Sequence, residues 1–220
     1  MRMRKKKHGE ERILACKDIL CEKPTEPIAS PPLHLGSDAP ICLEIGCGKG
    51  GFACGMAEKY PERAFYAMEK IKNVMICALE KAAACADTRP NDNLRFMIAD
   101  ARELCEWFAP NSVDYLYLNF SDPWPKARHT ERRLTHRAFF TEYFKILKQT
   151  GVLQFKTDNV GLFDFTLAEI EAMGLTPEVV TRDLHASPYA VDNVMTEYEA
   201  NFSAQGYPIH MLRLRHPLAK

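Results

Sequence analysis

The chain has 220 residues, 46% of them apolar, and carries 29 basic against 29 acidic side chains. That length and apolar share fit one compact domain with a sizeable core. The balanced charge excludes a whole-molecule field for nucleic acid, so any polyanion contact must come from a local cluster.

Residues 1–40 read as an N-terminal basic arm (Arg2, Arg4, Lys5, Lys6, Lys7) and a lead-in segment broken by Pro24, Pro27, Pro31 and Pro32. Residues 41–220 read as the functional domain. There the pattern alternates. Strands are predicted at 41–45, 64–68, 94–98, 113–118, 152–155 and 209–214. Helices are predicted at 52–59, 74–85, 101–108, 137–148 and 162–173, with Gly151 ending the fourth. Strands alternating with helices predict an α/β fold, with a mostly parallel central sheet covered on both faces. No stretch is long enough to cross a bilayer. The 8 cysteines form no Cys-x-x-Cys pair, and several sit in apolar runs. A reduced, cytoplasmic protein without a metal site or membrane partner is expected.

Glu44-Ile45-Gly46-Cys47-Gly48-Lys49-Gly50-Gly51 follows the first strand and opens the first helix of the domain. Its glycines match the dinucleotide fingerprint, which by itself leaves a nicotinamide or flavin cofactor open. Charge argues against those cofactors. Glu44 would oppose a pyrophosphate at this turn, whereas the sulfonium and ammonium of S-adenosylmethionine complement it. The next strands end at Glu69, spaced to accept from a ribose, and at Asp100, placed to reach an adenine edge. Asp122 follows the fourth. A single acid in such a place commonly caps a helix, but four at successive strand ends outline a cofactor rim.

The fourth strand runs into Asn119-Phe120-Ser121-Asp122-Pro123-Trp124-Pro125-Lys126. Its prolines exclude a continuing strand or helix. An acid beside aromatics suits a planar nitrogen acceptor, with Trp124 or Phe120 stacking on the base. A second basic cluster follows, from Lys126 through Arg128, Arg132 and Arg133 to Arg137.

The stretch from Asn119 to Leu134 resembles the bacterial tRNA (guanine-N7-)-methyltransferase family. Phe155-Lys156-Thr157-Asp158-Asn159, Thr196-Glu197-Tyr198-Glu199 with Phe202, and Met1-Arg2-Met3-Arg4 resemble further motifs of that family. Glu131 departs from it, standing where a lysine is usual. The resemblance implies a Rossmann-like class I methyltransferase fold and S-adenosylmethionine as methyl donor. It implies methylation of N7 of a guanine in the variable loop of tRNA, guanine 46 in tRNA numbering, by a monomer or homodimer. Glu44, Glu69, Asp100 and Asp122 then correspond to cofactor-site positions, beside Gly46 and Gly48 of the turn, and Asp122 to the proposed catalytic residue. Lys126, Asp158, Thr196, Glu197, Tyr198 and Glu199 correspond to substrate-site positions. Arg128, Arg132 and Arg133 fall in the RNA-contacting segment. Other readings of the residues are methylation of an amino nitrogen of another base, a tRNA-binding protein without activity, and a nicotinamide oxidoreductase. N7 has no proton to lose, so Asp122 is expected to orient the base and offset charge, without acting as a general base.

Overall fold

The computed structural model describes residues 6–85 and 92–218, so Arg2, Arg4 and Lys5 of the basic arm, and the Met1–Arg4 motif, lie outside the described residues. Seven strands form one sheet: β1 Ile41–Ile45, β2 Ala64–Glu69, β3 Leu94–Ile98, β4 Val113–Asn119, β5 Leu147–Thr157, β6 Val179–Thr181 and β7 His210–Arg215. Their order is β3-β2-β1-β4-β5-β7-β6. The pairs from β3 through β5 are parallel, while β7 is antiparallel to both β5 and β6. The order reverses between β1 and β4, and in open α/β sheets that switch point is where ligands bind, beyond the strands' carboxyl ends.

Side chains along β1 alternate between two cores. Ile41, Leu43 and Ile45 join Phe108, Phe140, Tyr143 and Phe163. Those partners come from α4 (Leu104–Trp107) and its end, α5 (Arg137–Ile146) and α6 (Val160–Ala172). Cys42 joins Phe52, Met75, Leu79 and Phe96 on the opposite face, under α2 (Gly51–Lys59) and α3 (Lys72–Cys85). Glu44 shares the Cys42 face, so a carboxylate stands where the pattern calls for an apolar group.

The lead-in segment packs against the sheet. In α1 (Gly9–Leu14), Arg12 forks onto Glu80 of α3 at 2.6 and 2.8 Å. Leu20 and Ile28 form single bridges to Phe96 and Phe108.

Among the described residues, two α-helices and one strand lie outside the predicted set, α1, α7 (Glu197–Ser203) and β6, as do four short 3-10 turns. The predicted helix 101–108 divides into a 3-10 turn, Ala101–Glu103, and α4. The predicted helix 137–148 stops at Ile146, and Gly151 does not terminate it. The Asn111 and Ser112 N–H groups donate to Lys145 and Ile146, pulling the chain straight into β5 beside β4. Gly151 lies inside β5, where a Cβ would sit 2.7 Å from Leu147 Cγ and 2.8 Å from the Lys148 carbonyl oxygen. The register shift between Val113 and Tyr115 lies opposite this stretch, so the glycine serves an irregular strand.

Gly50 shows how tightly the turn after β1 is fitted. It has φ 76°, and a Cβ there would lie 2.9 Å from Ala78 Cβ and 3.1 Å from Phe96 Cε1. Gly48 has φ 58° and open space around its missing Cβ. Gly48→Ala should cost only left-handed strain, about 1–2 kcal/mol. Gly50→Ala should add about 1–3 kcal/mol of overpacking. Urea unfolding of the two variants measures the difference, and equal losses would contradict it.

Candidate active site

Four neighbouring strands deliver their end residues to one rim. Glu44, at the end of β1, is buried, and its Oε1 accepts from Asn119 Nδ2 at 2.9 Å. Its Oε2 is buried without a hydrogen-bond partner. Burial pushes the Glu44 carboxyl up to about 7, against the Asn119 hydrogen bond and the Lys156 charge. Glu69 fastens the end of β2 to the glycine turn, because its Oε2 accepts from Gly48 N at 3.3 Å and its Oε1 from Ile71 N at 2.8 Å. Burial raises its pKa, and those N–H donors oppose the shift. Asp100 is already engaged. It takes Arg102 Nε and Nη2 at 3.0 and 2.6 Å and Lys70 Nζ at 2.6 Å, and the Arg102 hydrogen bonds lead in holding it well below the usual carboxylate range. Both cationic partners are exposed, so reaching a ligand requires them to swing away. Asp122 is exposed, and among the described residues its carboxylate has no hydrogen bond.

The loop after β4 is strained. Phe120 and Trp124 hold φ 51° and 41°, in the left-handed region that bulky residues avoid. Specific contacts hold them there. Phe120 N–H donates to the Lys156 carbonyl at 2.9 Å. Arg133 donates from Nε to Pro123 O at 2.9 Å and from Nη2 to Trp124 O at 3.1 Å, with its guanidinium 4.2 Å over the Phe165 ring. Arg132 is exposed and sits 5.1 Å over Trp124. Lys126 and Arg128 are exposed.

The C-terminal motif meets the same rim. Thr196 caps α7, its Oγ1 accepting from Glu199 N at 2.9 Å. Glu199 is fully enclosed. Its Oε2 accepts from Lys156 Nζ at 2.7 Å, and its Oε1 from Asn193 Nδ2 at 2.6 Å, with His185 Nε2 2.9 Å away. Burial raises its pKa, but these partners outweigh it and the net shift is downward. Glu197 pairs with Lys81 and presses on Gly51, where a Cβ would overlap its carboxylate. Tyr198, 43% exposed, stacks on Phe202 at 4.3 Å and meets Phe120 at 5.1 Å between ring centroids. Its hydroxyl reaches Asp158 Oδ2 at 3.4 Å.

A family model described as "Putative methyltransferase" matches residues 38–212. The tRNA (guanine-N(7)-)-methyltransferase of Lactococcus lactis subsp. cremoris (strain SK11) is 42% identical over 216 residues, 98% of each chain. That of Lysinibacillus sphaericus (strain C3-41) is 42% identical over 212 residues, 96% of each. The chain belongs to the bacterial tRNA (guanine-N(7)-)-methyltransferase family. Among solved structures, the 16S rRNA methyltransferase KamB superposes with a TM-score of 0.60 at 14% identity, covering 83% of this chain and 91% of that one. An antibiotic-related methyltransferase gives 0.59 at 16% identity, covering 82% and 88%. These two show the Rossmann-like class I fold.

The structure separates the residues that the family resemblance grouped at the substrate site. Arg133 gives its Nε and Nη2 donors to the loop's own carbonyls, whereas Arg128 and Arg132 are exposed to solvent. Thr196 and Glu199 face α7 and the buried ammonium of Lys156, whereas Glu197 and Tyr198 face the rim. Asn119 and Lys156 stand in the motifs without a role assigned by them, and Asn193 lies outside the motifs. The strand-end position of Asn119, two residues beyond Tyr117, the partner of Glu44 on β4, was the available signal for the first.

The methyl donor of this methyltransferase family member is S-adenosylmethionine, and the rim fits it. Glu44 Oε2, Asn119 Oδ1 and Ser121 Oγ are buried and unpartnered. All three atoms accept hydrogen bonds, which suits an ammonium or sulfonium. A Cβ on Gly48 would meet nothing within 4 Å, and one on Gly46 only Leu134 Cδ1 at 3.8 Å, leaving the backbone open to close approach.

Glu44 predicts a pH dependence. Below about 7 the free protein holds this carboxyl protonated, and a cationic ligand favours the ionised form. Cofactor binding should therefore weaken as pH falls below 7 and release a proton there. Calorimetry in two buffers of different ionisation enthalpy reads the release, and Glu44→Gln should abolish it.

Proposed function

We propose a division of labour among these residues for transfer of a methyl group from S-adenosylmethionine to N7 of a guanine in tRNA. The acceptor is the guanine of the variable loop, position 46 in tRNA numbering. The observation that carries the reading is the set of unpartnered buried acceptors on the rim, beside a strained aromatic loop that bears an uncommitted carboxylate.

S-adenosylmethionine, when bound, supplies an electrophilic methyl group on a sulfonium. Glu44, Asn119 and Ser121 would hold its cationic groups, and Glu69, Asp100 and the Gly46–Gly48 turn would hold the rest of it. The guanine rests against Phe120 and Tyr198, whose rings already meet at the rim. Aromatic stacking of this kind contributes about 1–3 kcal/mol per base. Asp158, held beside the Tyr198 hydroxyl, and Glu197 are acceptors for the N1–H and 2-amino edge. Because N7 carries a lone pair and no proton, no base is required. Asp122 orients the ring and offsets the positive charge that develops on it. Lys126, Arg128 and Arg132 take the phosphates, which position the RNA without reading its sequence. No helix among the described residues is long and apolar enough to cross a membrane, and we place the enzyme with its tRNA in the cytoplasm.

Incubation with labelled S-adenosylmethionine and unmodified tRNA, followed by borohydride and aniline cleavage, should cut at the variable-loop guanine. Label on an adenine or on an exocyclic amino group would overturn the acceptor assignment. Asp122→Asn should lower kcat about 100-fold with tRNA affinity unchanged. Full turnover by that variant would remove Asp122 from the mechanism.

The basic segment should separate by salt titration. Arg132→Ala should weaken tRNA binding and reduce the slope of log K against log salt by about 1. Arg133→Ala should leave that slope unchanged and lower kcat, because it frees the loop and removes no phosphate contact. Identical slopes for the two variants would contradict the division.

A further inference from the structure

Lys156 is fully buried near the carboxyl end of β5. Its ammonium donates to Glu199 Oε2 at 2.7 Å, Asn193 Oδ1 at 2.8 Å and Val194 O at 3.1 Å, which uses all three donors. Its carbonyl accepts the Phe120 N–H at 2.9 Å. It stands in register opposite Asn119, the residue that holds Glu44. The ammonium also lies 5.2 Å over the Phe52 ring of α2. One side chain and its peptide thus join α7, the 193–194 segment, the acceptor loop and the cofactor rim.

Stability alone does not account for such a group. Taking both charges out of water costs several kcal/mol per ion, and well-packed apolar pairs of similar volume are often as stable or more so. The best-attested use of a buried pair is to select one arrangement among several. Here the arrangement selected is that of α7, which carries Glu197 and Tyr198 to the rim and sets the Tyr198 ring against Phe120.

We infer that Lys156 is a positioning residue for methyl transfer, fixing α7 and the Phe120 loop against the cofactor rim through Glu199, Asn193 and its own carbonyl. It touches neither the guanine nor the methyl group. The inference rests on the methyltransferase reading above, and it adds a residue that the sequence motifs left without a role.

The test compares wild type, Lys156→Arg, Lys156→Met and the double variant Lys156→Met/Glu199→Gln. The double variant removes both charges and keeps a hydrogen-bonding amide for His185 and Asn193, so it remains informative if Lys156→Met alone is unstable. Its thermal midpoint should lie near that of wild type. At a pH where Glu44 is ionised, its affinity for S-adenosylmethionine by calorimetry should stay within about threefold, while kcat falls about 100-fold, the size expected for a misplaced acceptor. A second readout is electrostatic. The charged groups acting on Glu44 are Lys156 and Glu69, while the nearby Cys47 thiol, pushed up by burial and by Glu44 itself, stays neutral. The acid limb of cofactor binding should move to higher pH in both variants that lack the ammonium, and stay in place in Lys156→Arg. A double variant that is stable and turns over at the wild-type rate would overturn the inference, as would an unmoved acid limb. Failure of wild type to form N7-methylguanine would instead overturn the reading on which the inference rests.

Discussion

A carboxylate is buried at the end of β1, a strand whose other residues are all apolar, and the rim is arranged around it. An isolated charge in such a place is costly, so the group either loses its charge or finds partners. Glu44 does some of each. Asn119 gives one hydrogen bond from across the switch point, Lys156 contributes a positive field, and one oxygen is left for whatever enters. The sheet order makes this possible, because only at the β1–β4 boundary do two parallel strands diverge into separate loops above an open crevice. Glu69 secures one of those loops and the Lys156 carbonyl the other.

The basic run after β4 places one residue type in two settings. Arginine offers five donors in a rigid fork, which suits backbone carbonyls as well as phosphates. Arg133 uses its fork to hold Pro123 and Trp124, and the loop needs it because two large aromatic residues sit in left-handed backbone there. The rigidity of the acceptor loop therefore comes from the same charged segment that faces solvent through Arg128 and Arg132.

The sheet was legible in the sequence because its strands are short apolar runs with sharp ends, and the rim acids were legible because each stands at such an end or a few residues beyond it. The glycine turn was legible for the same reason. Other features had no separable signal. Arg132 and Arg133 are identical in type and adjacent, and only the fold of the loop distinguishes them. Lys156 follows Phe155 in a strand that reads as finished, so a lysine there looks like a solvated terminus, whereas tertiary packing encloses it. Helix α7 did carry a signal, Thr196 followed three residues later by Glu199, the spacing of a capping box. Half of that motif operates: Thr196 caps the helix, and Glu199 turns away to meet Lys156. Gly151 read as a helix stop because glycine marks both helix ends and irregular strands, and local sequence does not choose between them.

The contact between Glu197 and Gly51 has an evolutionary consequence. These positions lie far apart in the chain, one in the C-terminal motif and the other at the first residue of α2, yet the carboxylate occupies the space that any β-carbon would need. A side chain at 51 requires that carboxylate to move, whereas position 197 can shorten without any change at 51. A family member that places even alanine at position 51 must shorten or re-aim the side chain at 197, and with it the pairing to Lys81. The dependence runs one way: what position 51 can hold is set by the side chain at 197, at the far end of the sequence.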